Sequence, residues 1–194
     1  MNEIPNPGSW PSSIHRVVII STGAVGVALA PGWVTLLKGW YDIDIRILLS
    51  HSAETLVSKK VLGALTKNPV LGPEWKAEAS TVEHREIAEW ADLILVVPAT
   101  ANYITKLSQG NLDSLALYVP LMTEAPVVIA PSLPPKIASY PPVKRAIEDL
   151  SNYGIHVLDT TTGLSAHSIK PEQGGLVNLI ELVNYVRNNF GKVA

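Results

Sequence analysis

The residues best suited to chemistry lie on either side of one apolar run. His84 comes before the uncharged residues 93–97, and Asn102 comes after them. Imidazole titrates near neutral pH, so His84 is a candidate to accept or orient a proton. The Asn102 amide can bind a ligand, although Asn is also a common helix N-cap. A lone histidine is usually structural or solvated, which is our interpretation of the other four.

The element that must position these residues is the run itself. An uncharged run such as 93–97 is typical of a strand covered on both faces in a parallel sheet. The strand is expected to end at Pro98, and a helix is expected over about 103–107. Small and hydroxyl-bearing residues at 98–102 would then lie at the strand's carboxyl end, where open α/β sheets place ligands.

Two further turns at strand ends carry small or polar residues. The turn that begins with Thr22 and Gly23 and continues through Ala24 and Val25 lets backbone N–H groups approach a phosphate. A tight strand-to-helix turn without a ligand is the alternative. Two serines, at positions 50 and 52, begin the helix after the second strand, where serine is most often a cap.

The remaining pattern predicts an α/β fold. Strands are predicted at 17–20, 43–49, near 79–82, at 126–131 and at 155–158. Helices are predicted after the first turn to about 39, from about 53, and at 112–122, 143–153 and 176–188. This alternation predicts a single doubly wound parallel sheet, Rossmann-like and of about six strands, with helices on both faces. Residues 61–79 are expected to form a long connection with a short helix at its start.

The predicted domain spans 15–194, preceded by an irregular arm at 1–14. Residues 159–175 are polar and lack hydrophobic periodicity, which predicts a long loop of the kind that is usually functional or mobile.

Composition narrows the function classes. The chain has 194 residues, 47% of them hydrophobic, and a net charge of -2, so a nucleic-acid partner is not expected. No apolar stretch reaches transmembrane length and residues 1–13 do not resemble a signal peptide, so a cytoplasmic location and no membrane partner are expected. The chain has no cysteine, which excludes disulfides, thiolate metal sites and a cysteine nucleophile. No metal site is predicted.

A family resemblance covers the central stretch in detail and 16–186 more loosely. His84 lies eight residues before Asp92 in the pattern H-x-E-[IL]-A-x-W-A-D. The next motif consists of Pro98-Ala99-Thr100-Ala101-Asn102, followed by Lys106, Gly110 and Asp113. Together they resemble the histidine motif and the P-A-[ST]-A-N-T signature of the flavin-containing cysteine decarboxylases (HFCD flavoproteins). The chain is most similar to the lantibiotic-type peptidyl-cysteine decarboxylases.

The resemblance implies FMN as the cofactor. It places the phosphate at the serines of the second turn and the flat ring against the backbone at 98–100. It also implies catalytic roles for His84 and Asn102. The implied cofactor-binding residues are Thr22, Gly23, Ala24, Val25, Ser50, Ser52, Pro98, Ala99, Thr100 and Asn102.

Two departures from the family pattern affect the substrate. Where the family has P-x-M-N-x-x-M-W, with the Asn thought to hold a carboxylate, this chain has Leu133 and Pro134 in place of Met and Asn. Lys136 is our candidate substitute for that Asn. Coenzyme A pathway members use a late-loop cysteine to reduce an enethiol intermediate, and here His167 falls near that position. An enzyme that stops at the enethiol needs no such cysteine.

The activity that the resemblance implies is oxidative decarboxylation of the C-terminal cysteine of a precursor peptide, in the maturation of peptide natural products (RiPPs). The cysteine would lose two electrons to give a thioaldehyde, carbon dioxide would leave, and an aminoenethiol would remain. His84 would assist proton removal, and 159–175 would close over the peptide. The alternatives are a phosphopantothenoylcysteine decarboxylase, a flavin prenyltransferase and a non-catalytic flavin-binding regulatory subunit. Family members form trimers, often four to a dodecamer, so a homo-oligomer is expected.

Overall fold

The computed structural model describes residues 5–73, 83–165 and 167–191. Within these ranges, a parallel sheet has the strand order β3-β2-β1-β4-β5-β6. This order and its helices on both faces confirm the predicted doubly wound architecture. The strands are β1 Arg16–Ser21, β2 Asp44–Leu49, β3 Val70–Leu71, β4 Leu93–Ala99, β5 Val127–Pro131 and β6 His156–Val157.

Helices connect the strands. After β1 a 3-10 helix, Val25–Leu29, leads into α1 Ala30–Trp40. The others are α2 His51–Glu54, α3 Lys59–Thr66, α4 Glu83–Trp90, α5 Ala101–Ser108, α6 Leu115–Met122, α7 Pro135–Ala138, α8 Pro141–Asn152 and α9 Leu179–Phe190. In the described ranges, no helix has the length and apolar character needed to cross a membrane.

Two apolar cores cover the two faces of the sheet. On β4, Ile94 and Val96 face a core shared with α4, α5, α6 and α8. Leu93, Leu95 and Val97 face a second core shared with α1, α3 and α9. Alternate residues of one strand therefore serve opposite faces, which explains why the run 93–97 contains no polar residue.

An ion pair fixes the amino ends of β1 and β4, at the edge of the sheet opposite to the carboxyl ends. The Arg16 Nη2 atom lies 2.6 Å from Asp92 Oδ1, and the backbone N–H groups of His15 and Arg16 donate to Asp92 Oδ2 at 3.0 and 2.8 Å. The Arg16 guanidinium holds the pKa of Asp92 below its usual range, and the two backbone donors act in the same direction.

The end of β4 differs from the prediction. The strand continues through Pro98 to Ala99, because the pairing with β5 shifts register between Val96 and Ala99 and so accommodates a residue without an N–H. Helix α5 begins at Ala101, and the Thr100 hydroxyl accepts from the Tyr103 N–H at 3.4 Å. Thr100 is therefore the N-cap, and Asn102 lies inside the first turn of the helix.

The described part of the connection predicted at 61–79, which reaches residue 73, is more regular than expected. Ser58 caps α3, and β3 follows at once as a short edge strand beside β2. The sixth strand of the sheet is thus β3, whereas the strand predicted near 79–82 lies outside the described residues. Helix α6 starts at Leu115 rather than at 112.

The segment 159–175 is not an irregular loop, which corrects the prediction. It contains an antiparallel hairpin of β7, Thr161–Leu164, and β8, Pro171–Gly175. The hairpin lies outside the main sheet and pairs through its backbone, so it needs no apolar periodicity. Leu133 N–H donates to Gly174 O at 3.0 Å, which ties the hairpin to the segment after β5.

Candidate active site

A crevice of about 810 Å³ lies at the carboxyl ends of β1, β2 and β4. The strand order reverses between β1 and β4, and this switch point is where open parallel sheets bind ligands. Each of the three strands is followed by a turn whose small or polar residues line the crevice. These residues are Thr22, Gly23, Ser50, His51, Ser52 and Thr100.

The opposite wall comes from α5, α6 and the turn between them. Sequence reasoning gave these residues no role in the site except Asn102, although Asn102 and Lys106 are spaced to share one face of a helix. The residues are Asn102, Tyr103, Lys106, Asp113, Ser114, Ala116 and Leu117, with Pro73 at the edge. No sequence signal indicated Pro73.

Buried hydroxyl groups join the ends of β1 and β4. The Thr22 hydroxyl donates to Pro98 O at 2.8 Å and accepts from Thr100 N–H at 2.9 Å. The Ser21 hydroxyl donates to Val97 O at 2.7 Å. The Thr22 hydroxyl is thus used within the protein, where it holds the turns after β1 and β4 together at the crevice wall.

The turns after β1 and β2 approach each other at Gly23. A Cβ atom built on Gly23 would lie 2.2 Å from Ser52 Cβ and 3.3 Å from Ser52 Cα, so a side chain does not fit there. Ser50 caps α2 by accepting from Ala53 N–H at 3.3 Å. Its own N–H donates to Ser21 O at 3.0 Å. This corner therefore brings the half-buried Gly23 and the hydroxyls of Ser50 and Ser52 together in a small volume.

The wall formed by α5 and α6 is held by one buried and one exposed contact. The Tyr103 hydroxyl donates to Ala116 O at 2.8 Å, and burial raises the pKa of Tyr103, so the phenol stays protonated. Lys106 pairs with Asp113 at the crevice surface. The first contact ties α5 to the backbone of α6, and the second pairs a cation with a carboxylate.

Several residues predicted to contact FMN lie outside the crevice lining. Pro98 and Ala99 are buried within β4, because the strand is longer than predicted. Ala24 and Val25 stand at the start of the 3-10 helix, and Val25 is 65% exposed. Of the ten residues predicted to contact FMN, the crevice lining brings together those at 22–23, 50, 52, 100 and 102.

The two predicted substrate-binding residues are also outside that lining. Lys136 is exposed on α7, and His167 is exposed in the turn between β7 and β8. Pro134 is exposed at the residue that precedes α7. In the described structure, neither Lys136 nor His167 lines the crevice.

His84 lies in the first turn of α4, at the contact between α4 and α6. It is half-buried, and its ring centroid is 5.1 Å from that of Tyr118. His84 is absent from the described residues that line the crevice, whereas Ala116 and Leu117, which precede Tyr118 on α6, are present. His84 is therefore outside the crevice lining, although it contacts α6, the helix that supplies Ala116 and Leu117 to that lining.

The residues present fit FMN. A crevice of about 810 Å³ is within the range for cofactor sites. The close approach at Gly23, with Ser50 and Ser52 beside it, suits a phosphate. From there the wall runs along Thr100 and Asn102, which leaves room for a flat ring against α5.

Residues 7–191 match the protein family Flavoprotein. The chain belongs to this family. The match confirms the predicted flavoprotein class and, with the FMN-dependent proteins among its structural neighbours, the prediction of FMN as cofactor.

Solved structures share the fold over most of the chain. The FMN-dependent cysteine decarboxylase SpaF superposes with a TM-score of 0.78 at 23% identity, over 90% of this chain and 95% of that protein. The FMN-dependent cysteine decarboxylase TvaF, from thioviridamide biosynthesis, gives 0.71 at 26% identity over 74% and 89%. The peptidyl-cysteine decarboxylase EpiD gives 0.76 at 24% identity over 89% and 98%. These structures support the HFCD resemblance.

Curated relatives are longer than this flavoprotein. The coenzyme A biosynthesis bifunctional protein CoaBC of Bacillus subtilis (strain 168) is 35% identical over 63% of this chain, which is 30% of the relative. A cysteine/cysteine sulfinic acid decarboxylase from an unknown prokaryotic organism is 30% identical over 71% of this chain and 38% of the relative. The chain thus spans well under half the length of these relatives.

Proposed function

We propose that this flavoprotein is an FMN-dependent decarboxylase that acts on the C-terminal cysteine of a precursor peptide. The observation that carries the proposal is the crevice at the switch point between β1 and β4, which has the size and wall chemistry for FMN. Similarity in fold to SpaF, TvaF and the peptidyl-cysteine decarboxylase EpiD supports the substrate class.

The residues of the crevice hold the cofactor in this proposal. Gly23, Ser50 and Ser52 receive the phosphate, and Thr100 and Asn102 lie along the ring. Bound FMN supplies a two-electron oxidation. The Asn102 amide, in the first turn of α5, is available for hydrogen bonds to the ring or to the substrate.

The reaction balances as an oxidation followed by loss of carbon dioxide. The cysteine CH₂–SH group loses two electrons and two protons and becomes a thioaldehyde. The bond from Cα to the carboxylate then breaks and its electron pair forms the new carbon–carbon double bond, while the carbon–sulfur π pair moves onto sulfur. The resulting thiolate takes up one proton, and an aminoenethiol remains. The two electrons would pass to FMN held by the crevice, and molecular oxygen would serve as the final oxidant. His84 assists removal of the first protons.

The position of His84 leads to a proposed homo-oligomer. His84 contacts α6, which is apolar on every side and exposes Leu121 and Met122. Exposed apolar residues at the end of this otherwise mostly buried helix suit contact with a second copy. We propose a trimer, or a dodecamer of four trimers, in which His84 of one copy serves the crevice of its neighbour.

The test is product analysis with the FMN-loaded protein and a peptide that ends in cysteine. Mass spectrometry should show loss of carbon dioxide and two hydrogens. His84→Asn should leave a yellow, folded protein that releases no carbon dioxide. His15→Asn is the matched control, because His15 is exposed and uses its backbone N–H toward Asp92. Full activity of His84→Asn would refute the role of His84.

A second candidate function is decarboxylation of phosphopantothenoylcysteine in coenzyme A biosynthesis. The sequence relatives favour it, since CoaBC proteins of Bacillus subtilis and Borreliella burgdorferi match 63% and 81% of this chain. Parallel assays with this substrate and with the peptide separate the two functions. Turnover of phosphopantothenoylcysteine alone would replace the peptide proposal.

A further inference from the structure

We infer that Lys106 binds the carboxylate that the substrate loses as carbon dioxide. This inference rests on the proposed function, because it assumes a substrate with a free terminal carboxylate. It assigns the selectivity for that group to α5 rather than to the segment after β5, where Lys136 was predicted to act.

Lys106 is the cation that the crevice presents. Among the described residues of its lining, Lys106 is the sole lysine or arginine. It follows Asn102 by four residues, so the two side chains share one face of α5. A substrate that lies beside the ring near Asn102 is therefore within one helical turn of an ammonium group.

Asp113 pairs with this ammonium group and leaves N–H donors free for a ligand. Lys106 and Asp113 form an ion pair in which the lysine side chain is 33% exposed. An ammonium has three N–H donors, so a ligand can share the group with Asp113. Asp113 also offsets part of the charge, so the carboxylate is bound without being stabilised so strongly that loss of carbon dioxide is prevented.

The other candidate cation is badly placed. Lys136 is exposed on α7 and does not line the crevice in the described structure. Pro134, just before α7, has no polar side chain. The segment after β5 therefore provides no charged group at the crevice, whereas α5 does.

The test uses FMN-loaded protein and a peptide that ends in serine instead of cysteine, which has no thiol to oxidise. Binding is measured by calorimetry for the free acid and for the C-terminal amide of the same peptide. The wild-type protein should bind the acid about tenfold more tightly, as expected for one charge-assisted hydrogen bond. Lys106→Met should bind acid and amide alike, with its FMN content unchanged.

Three further variants distinguish binding from a structural role. Lys136→Met should keep the preference for the acid, and Lys106→Arg should keep most of it. Asp113→Asn should also keep it, since a lysine that acted only through the ion pair would be impaired equally by either change. Preference for the acid in Lys106→Met, or its loss in Asp113→Asn, would overturn the assignment.

Failure of the inference can be told apart from failure of the proposed function. If the wild-type protein decarboxylates the cysteine peptide but binds acid and amide equally, only the role of Lys106 is wrong. If it neither binds the serine peptides nor turns over the cysteine peptide, the proposed substrate class is wrong, and the assignment of Lys106 falls with it.

Discussion

Replacement of Gly23 by alanine tests whether the phosphate of FMN lies between the first two turns. A Cβ at Gly23 would lie 2.2 Å from Ser52 Cβ, while ordinary contact begins near 3.4 Å. The two turns must therefore separate by roughly 1.2 Å, the difference between those distances. Ser52 is exposed on the four-residue helix α2, so α2 can move outward. We expect a stability loss of about 1–3 kcal/mol for such overpacking.

The effect on FMN should exceed the effect on riboflavin, which lacks the phosphate. Loss of one hydrogen bond to a charged group costs about 1.5–3 kcal/mol, which is roughly a 10- to 100-fold rise in Kd. The assay is quenching of flavin fluorescence during titration with protein, performed with both ligands. Gly39→Ala is the matched control, because a Cβ on Gly39 meets nothing within 4 Å. It should leave both affinities unchanged and stabilise α1 by about 1 kcal/mol.

Two results would refute this reasoning. Equal weakening of FMN and riboflavin by Gly23→Ala would show that the phosphate is not bound at this corner. Unchanged FMN affinity, with the protein folded, would show that the close approach of the two turns has no bearing on the cofactor.

Three other predictions concern the frame around the crevice. Asp92→Asn should lower the free energy of unfolding by about 1–3 kcal/mol at neutral pH. Because Arg16 depresses the pKa of Asp92 in the folded state, the gap from wild type in urea melts should persist above about pH 4 and close as pH falls through the lowered pKa. Tyr103→Phe should cost about 1–3 kcal/mol in the same measurement, since Ala116 O loses its buried donor. Gly174→Ala, with φ +97° and a Cβ that would lie 2.0 Å from a backbone oxygen, should release the hairpin and speed its proteolysis; an unchanged cleavage rate would contradict this.

The fold class could be predicted from the sequence because uncharged apolar runs indicate strands that are buried on both faces. The run 93–97 was uncharged since both of its faces are covered, and this predicted a central strand. The end of β4 was predicted too early, at Pro98, because the sequence does not show the register shift that accommodates proline within the strand. The hairpin at 161–175 was missed since its strands pair through backbone atoms and carry no apolar pattern.

The candidate site was predictable where a residue directly follows a strand, and not where tertiary packing decides. Gly23, Ser50 and Thr100 satisfied the first condition, and all three line the crevice. Lys136 was chosen for its place in a motif, but the segment after β5 carries it away from the crevice. Lys106 was visible as a motif residue, yet its place in the wall depends on how α5 packs beside α6.

In the proposed function, cofactor placement and substrate placement depend on the same helix, α5. The Thr22 hydroxyl accepts a hydrogen bond from the N–H of Thr100, the residue that caps α5. Asn102 and Lys106 then project from the first two turns of that helix into the crevice. A shift at the cap would therefore move the proposed ring contact and the proposed carboxylate contact together. On this proposal, the buried Thr22 hydroxyl, whose donor is already used by Pro98 O, affects both contacts through the cap of α5.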